Sequence, residues 1–371
     1  MNSAKEILKH LISIDSQFNR SNKEIIDYIQ KLFVIYESKI YSVDNSDIDL
    51  YNLVIKIPGE QSESPLVFVG HTDTVLFSEK WNRNPLIAEE ENGKLYGLGA
   101  SDMKSGIAII LSAVLNLNKK PTKDIYLVFD CDEEYGGKGG LDLIKKFSLK
   151  NANVIILEPT SRKIILGQKG CIDLEIETFG KALHASLVSP EKSEQFNANY
   201  KAVKIFMALK EYEKEIYLNS DEDYGHPTIA LSYICGGSGA ANVISDKCVI
   251  RLSRRLIPLE NLDQVYKEME EIILKEDPNA KIRKLFYGGP FKSSSEGKFT
   301  NFVKNLSKEF FPEIEFGIKL SWTEASLFSE WGETIIFGPG REEMAHQIDE
   351  YVFVEDLEKF TEICNKIIEK Y

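Results

Sequence analysis

Cysteine is scarce. The five residues (Cys131, Cys171, Cys235, Cys248, Cys364) are odd in number, widely spaced and set in apolar segments. No Cys-x-x-Cys pair exists, so a thiolate zinc site is not expected, and the pattern reads as reduced, buried thiols of a cytoplasmic protein. Long apolar runs are missing too. Ile107–Leu117 is broken by Ser112 and Asn116 and falls well short of the ~20 residues that cross a bilayer, so no membrane partner is expected. The opening stretch Met1–His10 has no apolar centre of a secretory signal. Positive charge is in deficit: Lys+Arg 45 against Asp+Glu 58 leaves a net charge of −13, the wrong footprint for a nucleic-acid partner. There is neither an internal repeat nor a low-complexity segment. What is present, 371 residues of which 43% are hydrophobic, suffices for about two domains with full cores.

Hydrophobic periodicity predicts two opening helices, around Ile7–Ile12 and Ile25–Phe33. Buried strands are predicted at Asn52–Ile57, Leu66–Gly70, Ile125–Asp130 and Val154–Glu158, with helices at Met103–Leu117 and Gly139–Phe147 between them. That alternation predicts an α/β domain with a mostly parallel sheet covered by helices. From Cys171 the texture changes: Ile172, Leu174 and Ile176 alternate with polar residues, as in an antiparallel strand with one wet face. A helix at Asn197–Tyr217, strands at Thr228–Cys235 and Lys247–Arg255, a helix at Leu262–Leu274 and a strand at Lys281–Phe286 complete a compact α+β unit. After Gly288-Gly289-Pro290 the first texture returns, with a helix at Phe299–Phe310, a strand at Thr334–Phe337 and a closing helix at Val354–Tyr371. The expected organisation is one catalytic domain (residues 1–170 and 287–371) interrupted by a smaller domain (171–286).

Chemistry-bearing residues cluster at the ends of the predicted strands. His71 and Asp73 follow the strand Leu66–Gly70, at the sheet edge where open α/β folds bind ligands. Asp73 fits as acceptor of one ring N–H of His71, leaving the other nitrogen for a metal; a turn that merely contains a histidine is the alternative. Asp102 stands ahead of an apolar helix, as its N-cap or as a carboxylate bridging two cations. The glycines before it are not a phosphate loop, because no Gly-Lys-[Ser/Thr] follows. Asp130, Asp132, Glu133 and Glu134 crowd one strand end, where like charges demand either cations or full solvation. Adjacent glutamates allow one to bind metal while its neighbour serves as general base. Glu158 ends a strand with no partner in its sequence neighbourhood, and a loop of glycine turns carries His346. Two imidazoles and three carboxylates suit two divalent ions, zinc before magnesium or calcium.

The order of these motifs resembles the family of dinuclear zinc amidohydrolases that includes acetylornithine deacetylase, succinyl-diaminopimelate desuccinylase, aminoacylase and glutamate carboxypeptidase. The resemblance runs nearly end to end. It implies one zinc on His71, Asp102 and Glu158 and a second on Asp102, Glu134 and His346, with Co2+ or Mn2+ as substitutes. It further implies Asp73 as the residue orienting His71, Glu133 as general base and a cis peptide after Asp102. The insert resembles a ferredoxin-like lid and dimerisation domain, which implies a homodimer. His184, in Lys181-Ala182-Leu183-His184, would stabilise the oxyanion in the partner's active site, and Asn242 and Arg255 would hold the substrate. His10 and His226 match no motif.

Asn19–Asn22 and Ser321–Ala325 resemble the acetylornithine deacetylase branch, and Glu324 is a candidate for the amino end of a basic side chain. The implied substrate is an N-acyl amino acid or short peptide. Three departures from the family pattern, Leu98 for Arg, Ser245 for Pro and Ser253 for Asp, bear on which substrate is chosen. The alternatives are a di-/tripeptidase or carboxypeptidase, a succinyl-diaminopimelate desuccinylase, and a non-enzymatic binding protein on the same scaffold.

Overall fold

A computed structural model describes residues 3–371. The chain divides into two compact units. The first runs to Gly167 and takes in Lys292–Ile318 and Thr323–Tyr371; the second comprises Gln168–Phe291 and Lys319–Trp322.

In the first unit, aliphatic and aromatic runs buried on both faces build the centre of a nine-stranded sheet. Lys123–Asp130, Gln61–His71, Ala152–Pro159 and Gly332–Gly338 lie side by side and parallel. The flanks are antiparallel: Glu37–Ser42 and Tyr51–Ile57 on one side, Ile164–Gln168 on the other. The parallel arrangement expected from the strand–helix alternation therefore holds for the four central strands. Short strands such as Phe316–Lys319, too brief to show a period, were not legible in the sequence.

Parallel strands carry all their carboxyl ends to one edge. His71 is opposite Asp130 in the ladder, and Gly338 is opposite Pro159. The loops bearing Glu133, Glu134 and His346 thus start where His71 and Glu158 end.

The helix after Asp102 spans Lys104–Leu115 and is buried from Lys104 through Val114, as expected of a helix apolar on every side. It comes so close to the sheet that a Cβ on Gly106 would lie 2.2 Å from the Leu157 carbonyl oxygen. Its only charge, Lys104, is fully buried and donates to the Leu11 and Ile14 carbonyls (2.9 and 2.8 Å) at the end of the helix Ala4–Ser13. The closing helix Val354–Lys370 buries Leu357, Phe360, Ile363 and Ile367 on one stripe.

The second unit has a four-stranded antiparallel sheet in the order Thr228–Gly236, Lys247–Leu256, Gly170–Phe179, Lys281–Gly288. Ile172, Leu174, Ile176, Ile250 and Leu252 on one face meet Ile205 and Leu209 of the helix Ala198–Ile216 and Met269 and Ile273 of the helix Leu262–Glu276. This is the ferredoxin-like strand–helix–strand–strand–helix–strand unit. Among the described residues, no helix is long and apolar enough to cross a membrane.

Candidate metal centre

His71, the last residue of its strand, is fully buried. Its Nδ1 lies 3.0 Å from the backbone carbonyl of Asp73 and 3.5 Å from the Asp73 carboxylate. A carbonyl only accepts, so Nδ1 carries a hydrogen and Nε2 is the nitrogen left to face inward. The closest orienting group is thus the Asp73 backbone, whereas the motif pointed to its side chain. The Asp73 carboxylate also accepts the backbone N–H groups of Glu133 (3.4 Å) and Glu134 (3.1 Å) and so fixes the acidic loop.

Nε2 of His71 faces Asp102 Oδ1 at 3.3 Å and Glu158 Oε1 at 3.6 Å. Nε2 of His346 faces Glu134 Oε2 at 2.8 Å and Asp102 Oδ2 at 3.8 Å. Asp102 therefore turns one oxygen to each imidazole. It does not cap the following helix, whose N-cap is Met103, and the Asp102–Met103 peptide is cis. Potential ligand atoms of His71, Asp102 and Glu134 lie within 4.8 Å of one another, as do those of His71, Glu133 and Glu158.

Crowding shifts these groups together. Burial opposes charge on His71, but Asp102, Asp73 and Glu158 outweigh it and hold the imidazole well above its ordinary range. The hydrogen bond that His346 donates to Glu134 lifts its imidazole to about 9. Burial raises Glu133 well above the carboxylate range, with Glu158 adding repulsion, and lifts Glu134 to about 7 with help from Asp102. Glu134 Oε1 is buried and has no hydrogen-bond partner among the described residues. Inward-facing imidazole nitrogens, clustered carboxylates and an orphaned oxygen are complementary to divalent cations, which would displace the protons that this crowding retains, and the donor set fits two of them.

Two carboxylates to which the sequence motifs assigned no role also matter here, Glu350 and Asp130. Glu350 is buried, and its carboxylate accepts the N–H groups of Gly99, Ser101 and Asp102. Asp130 is fully buried with neither oxygen satisfied among the described residues, and burial lifts it to about 6. Its neighbour is Glu324, only 1% exposed and pushed well up by burial and by Asp130. Asp130 Oδ2 and Glu324 Oε1 both flank Gly140, 3.1 and 3.2 Å from where a Cβ would stand. The acidic character of these segments was visible in the sequence; the pairing across about 190 positions was not.

In the second unit, His184 and Asn242 come together on the two-stranded pairing of Leu183–His184 with Val243–Ile244. His184 Nε2 lies 3.3 Å from the Asn242 amide, and its Nδ1 accepts the Ser186 backbone N–H at 3.3 Å. Arg255 is half-buried, while its neighbour Arg254 is buried and ion-paired with Glu260.

Such a donor set, at the carboxyl edge of a parallel sheet, belongs to the class of metal-dependent hydrolases. Comparison with known proteins makes the class specific. The pattern of peptidase family M20/M25/M40 matches residues 67–370, and the chain belongs to that family. Acetylornithine deacetylase of Buchnera aphidicola subsp. Acyrthosiphon pisum (strain Tuc7) is 32% identical, over 99% of this chain and 97% of its own. That of Aliivibrio fischeri (strain ATCC 700601 / ES114) is 29% identical, over 97% and 94%. Among solved structures, an M20 family metallo-carboxypeptidase from Sulfolobus solfataricus superposes with a TM-score of 0.80 at 18% identity, covering 99% of both chains. A dinuclear metal binding peptidase of the M20 family from Bacillus subtilis gives 0.66 at 14% identity, over 99% and 98%.

Proposed function

We propose that this protein is a two-zinc amidohydrolase that removes the acyl group from an N-acyl amino acid, with an N-acetylated basic amino acid such as acetylornithine as substrate. The observation that carries the chemistry is the division of Asp102 between His71 and His346, with Glu133 beside them. The substrate reading draws on relatives named acetylornithine deacetylase that match along nearly the whole chain.

In this reading His71, Asp102 and Glu158 hold one cation, and Asp102, Glu134 and His346 the other. When bound, the pair supplies a water activated at neutral pH and polarisation of the scissile carbonyl. Co2+ and Mn2+ fit the same nitrogen and oxygen donors. Glu133 takes the proton of the attacking water and passes it to the leaving amine. A half-buried carboxylate whose proton affinity is raised, as that of Glu133 is, suits both transfers. Asp73 keeps Glu133 in place through its backbone amide.

His184, contributed by the partner of a homodimer formed through the second unit, donates to the oxyanion. Its backbone partner supports that role. The Ser186 N–H cannot be reversed, so Nδ1 is the acceptor and Nε2 carries the hydrogen; the Asn242 amide then meets it through its oxygen after a half-turn. Arg255 and Asn242 hold the substrate carboxylate, and Glu324, with Asp130 behind it, reads the amino end of the side chain. The setting is cytoplasmic, in keeping with five unbridged cysteines.

The test is turnover by the zinc-loaded protein. N-acetylornithine is expected to be hydrolysed in preference to succinyl-diaminopimelate and to dipeptides, and a dipeptide preference would overturn the substrate reading. Glu133→Gln is expected to keep its metal and lose roughly 10²- to 10⁴-fold in kcat. Wild-type turnover by that variant would remove Glu133 from the mechanism.

A further inference from the structure

Glu350 closes the loop that begins at Arg341 and carries His346. It leads into the strand Tyr351–Phe353, which pairs with Lys94–Tyr96 ahead of the loop that carries Asp102. The two loops are laced together at this residue. Glu350 Oε2 accepts from Gly99 N–H at 2.9 Å, and Oε1 accepts from both Ser101 N–H and Asp102 N–H at 2.7 Å. The Glu350 backbone oxygen accepts from Gly97 N–H at 3.0 Å. Ser101 adds the reverse stitches, its Oγ donating to the Arg341 carbonyl (3.1 Å) and accepting the Arg341 N–H (2.9 Å).

Three N–H groups converging on one carboxylate form an arrangement that an isosteric amide cannot reproduce, since half of its head donates. The Glu350 carboxylate meets the backbone amides of Gly99, Ser101 and Asp102 rather than an imidazole nitrogen. Through Asp102 N–H it sets the position of the residue whose two oxygens are shared between the imidazoles, and through its own chain it sets the loop of His346.

We infer that Glu350 is a positioning residue that couples the two cation sites, tying the shared carboxylate of Asp102 to the His346 loop so that the second cation is held only when both loops are locked. The inference rests on the two-metal reading above and concerns assembly of the centre, whatever the substrate.

The experiment is zinc binding by calorimetry on the metal-free full-length chain, for wild type, Glu350→Gln and Glu350→Asp. Removing an outer partner of a metal ligand commonly lowers affinity 10- to 100-fold. Glu350→Gln is expected to lose roughly that factor for the second zinc, more than for the first, with kcat falling further than KM rises and recovering at excess zinc. Glu350→Asp, with the charge on a shorter arm, should fall between. Two zinc ions bound by Glu350→Gln at wild-type affinities would overturn the inference while leaving the two-metal reading intact. Failure of the wild type to take up two ions would instead strike that reading. Should Glu350→Gln not fold, Glu350→Asp together with hydrogen exchange at Gly99–Asp102 decides: exchange in the wild type as fast as in an open loop is the contrary result.

Discussion

The two units treat charge in opposite ways. In the first, carboxylates are buried against one another: Asp102, Asp130 and Glu158 are at most 9% exposed. Their nearby cationic groups are imidazoles, apart from Lys104, whose amine is spent on carbonyl oxygens. In the second, opposite charges meet in pairs across the sheet: Glu175 with Arg251 and Arg283, Glu177 with Lys247. A surface ladder of pairs stabilises modestly and asks for nothing more. A buried crowd of acids gathered around two imidazoles is a standing demand for more positive charge, and such demands mark places where chemistry is done.

The contrast is breakable, and stripping the metals gives the largest effect. A ligand held at a thousand times its Kd contributes about 4 kcal/mol, so a chelator should speed hydrogen exchange around Gly97–Glu134 strongly. Peptides from Gly170–Phe179 and Lys247–Leu256 should not respond. Equal loosening of both units would show that the demand is not local.

Next in size is a change of opposite sign. Asp130 is raised by burial from an ordinary 3.8 to about 6, so the folded state binds this proton more tightly than the unfolded chain does. Stability is therefore lost as pH rises from about 4 to about 6 and stays lost above. Asp130→Asn should therefore stabilise the metal-free protein at pH 7 and change it little at pH 4. Urea denaturation at both pH values measures this, and a destabilised variant at pH 7 would mean that Asp130 has a partner worth more than its burial costs.

The smallest effect belongs to the second unit. Arg283, whose side chain is 65% exposed, shares Glu175 with Arg251. Arg283→Ala should cost only about 0.2–1 kcal/mol, and less at high salt. A larger loss would mean that the ladder bears more of the second unit's stability than its exposure suggests.

The α/β class and the antiparallel character of the insert were legible because both announce themselves locally, as unbroken apolar runs in Val154–Leu157 and as strict alternation in Cys171–Phe179. Strand order was not, since the antiparallel flanks depend on which edge each strand joins. The ligand-type residues could be picked out because each stands at a strand end or in a loop beside one, and a parallel sheet sends such ends to one edge. The backbone carbonyl of Asp73 as the nearest partner of His71 was out of reach, because a backbone group leaves no trace in composition. Glu350 was readable only as one acid among several after His346; its meaning lies in amides 248 to 251 positions away. Asp130 was readable as the end of its strand, but its pairing with Glu324 from far along the chain was not.

The helix Lys104–Leu115 has nowhere to go. Walled in on every side, and touching the sheet where Gly106 leaves no room for even a methyl group, it nails down the residue just ahead of it.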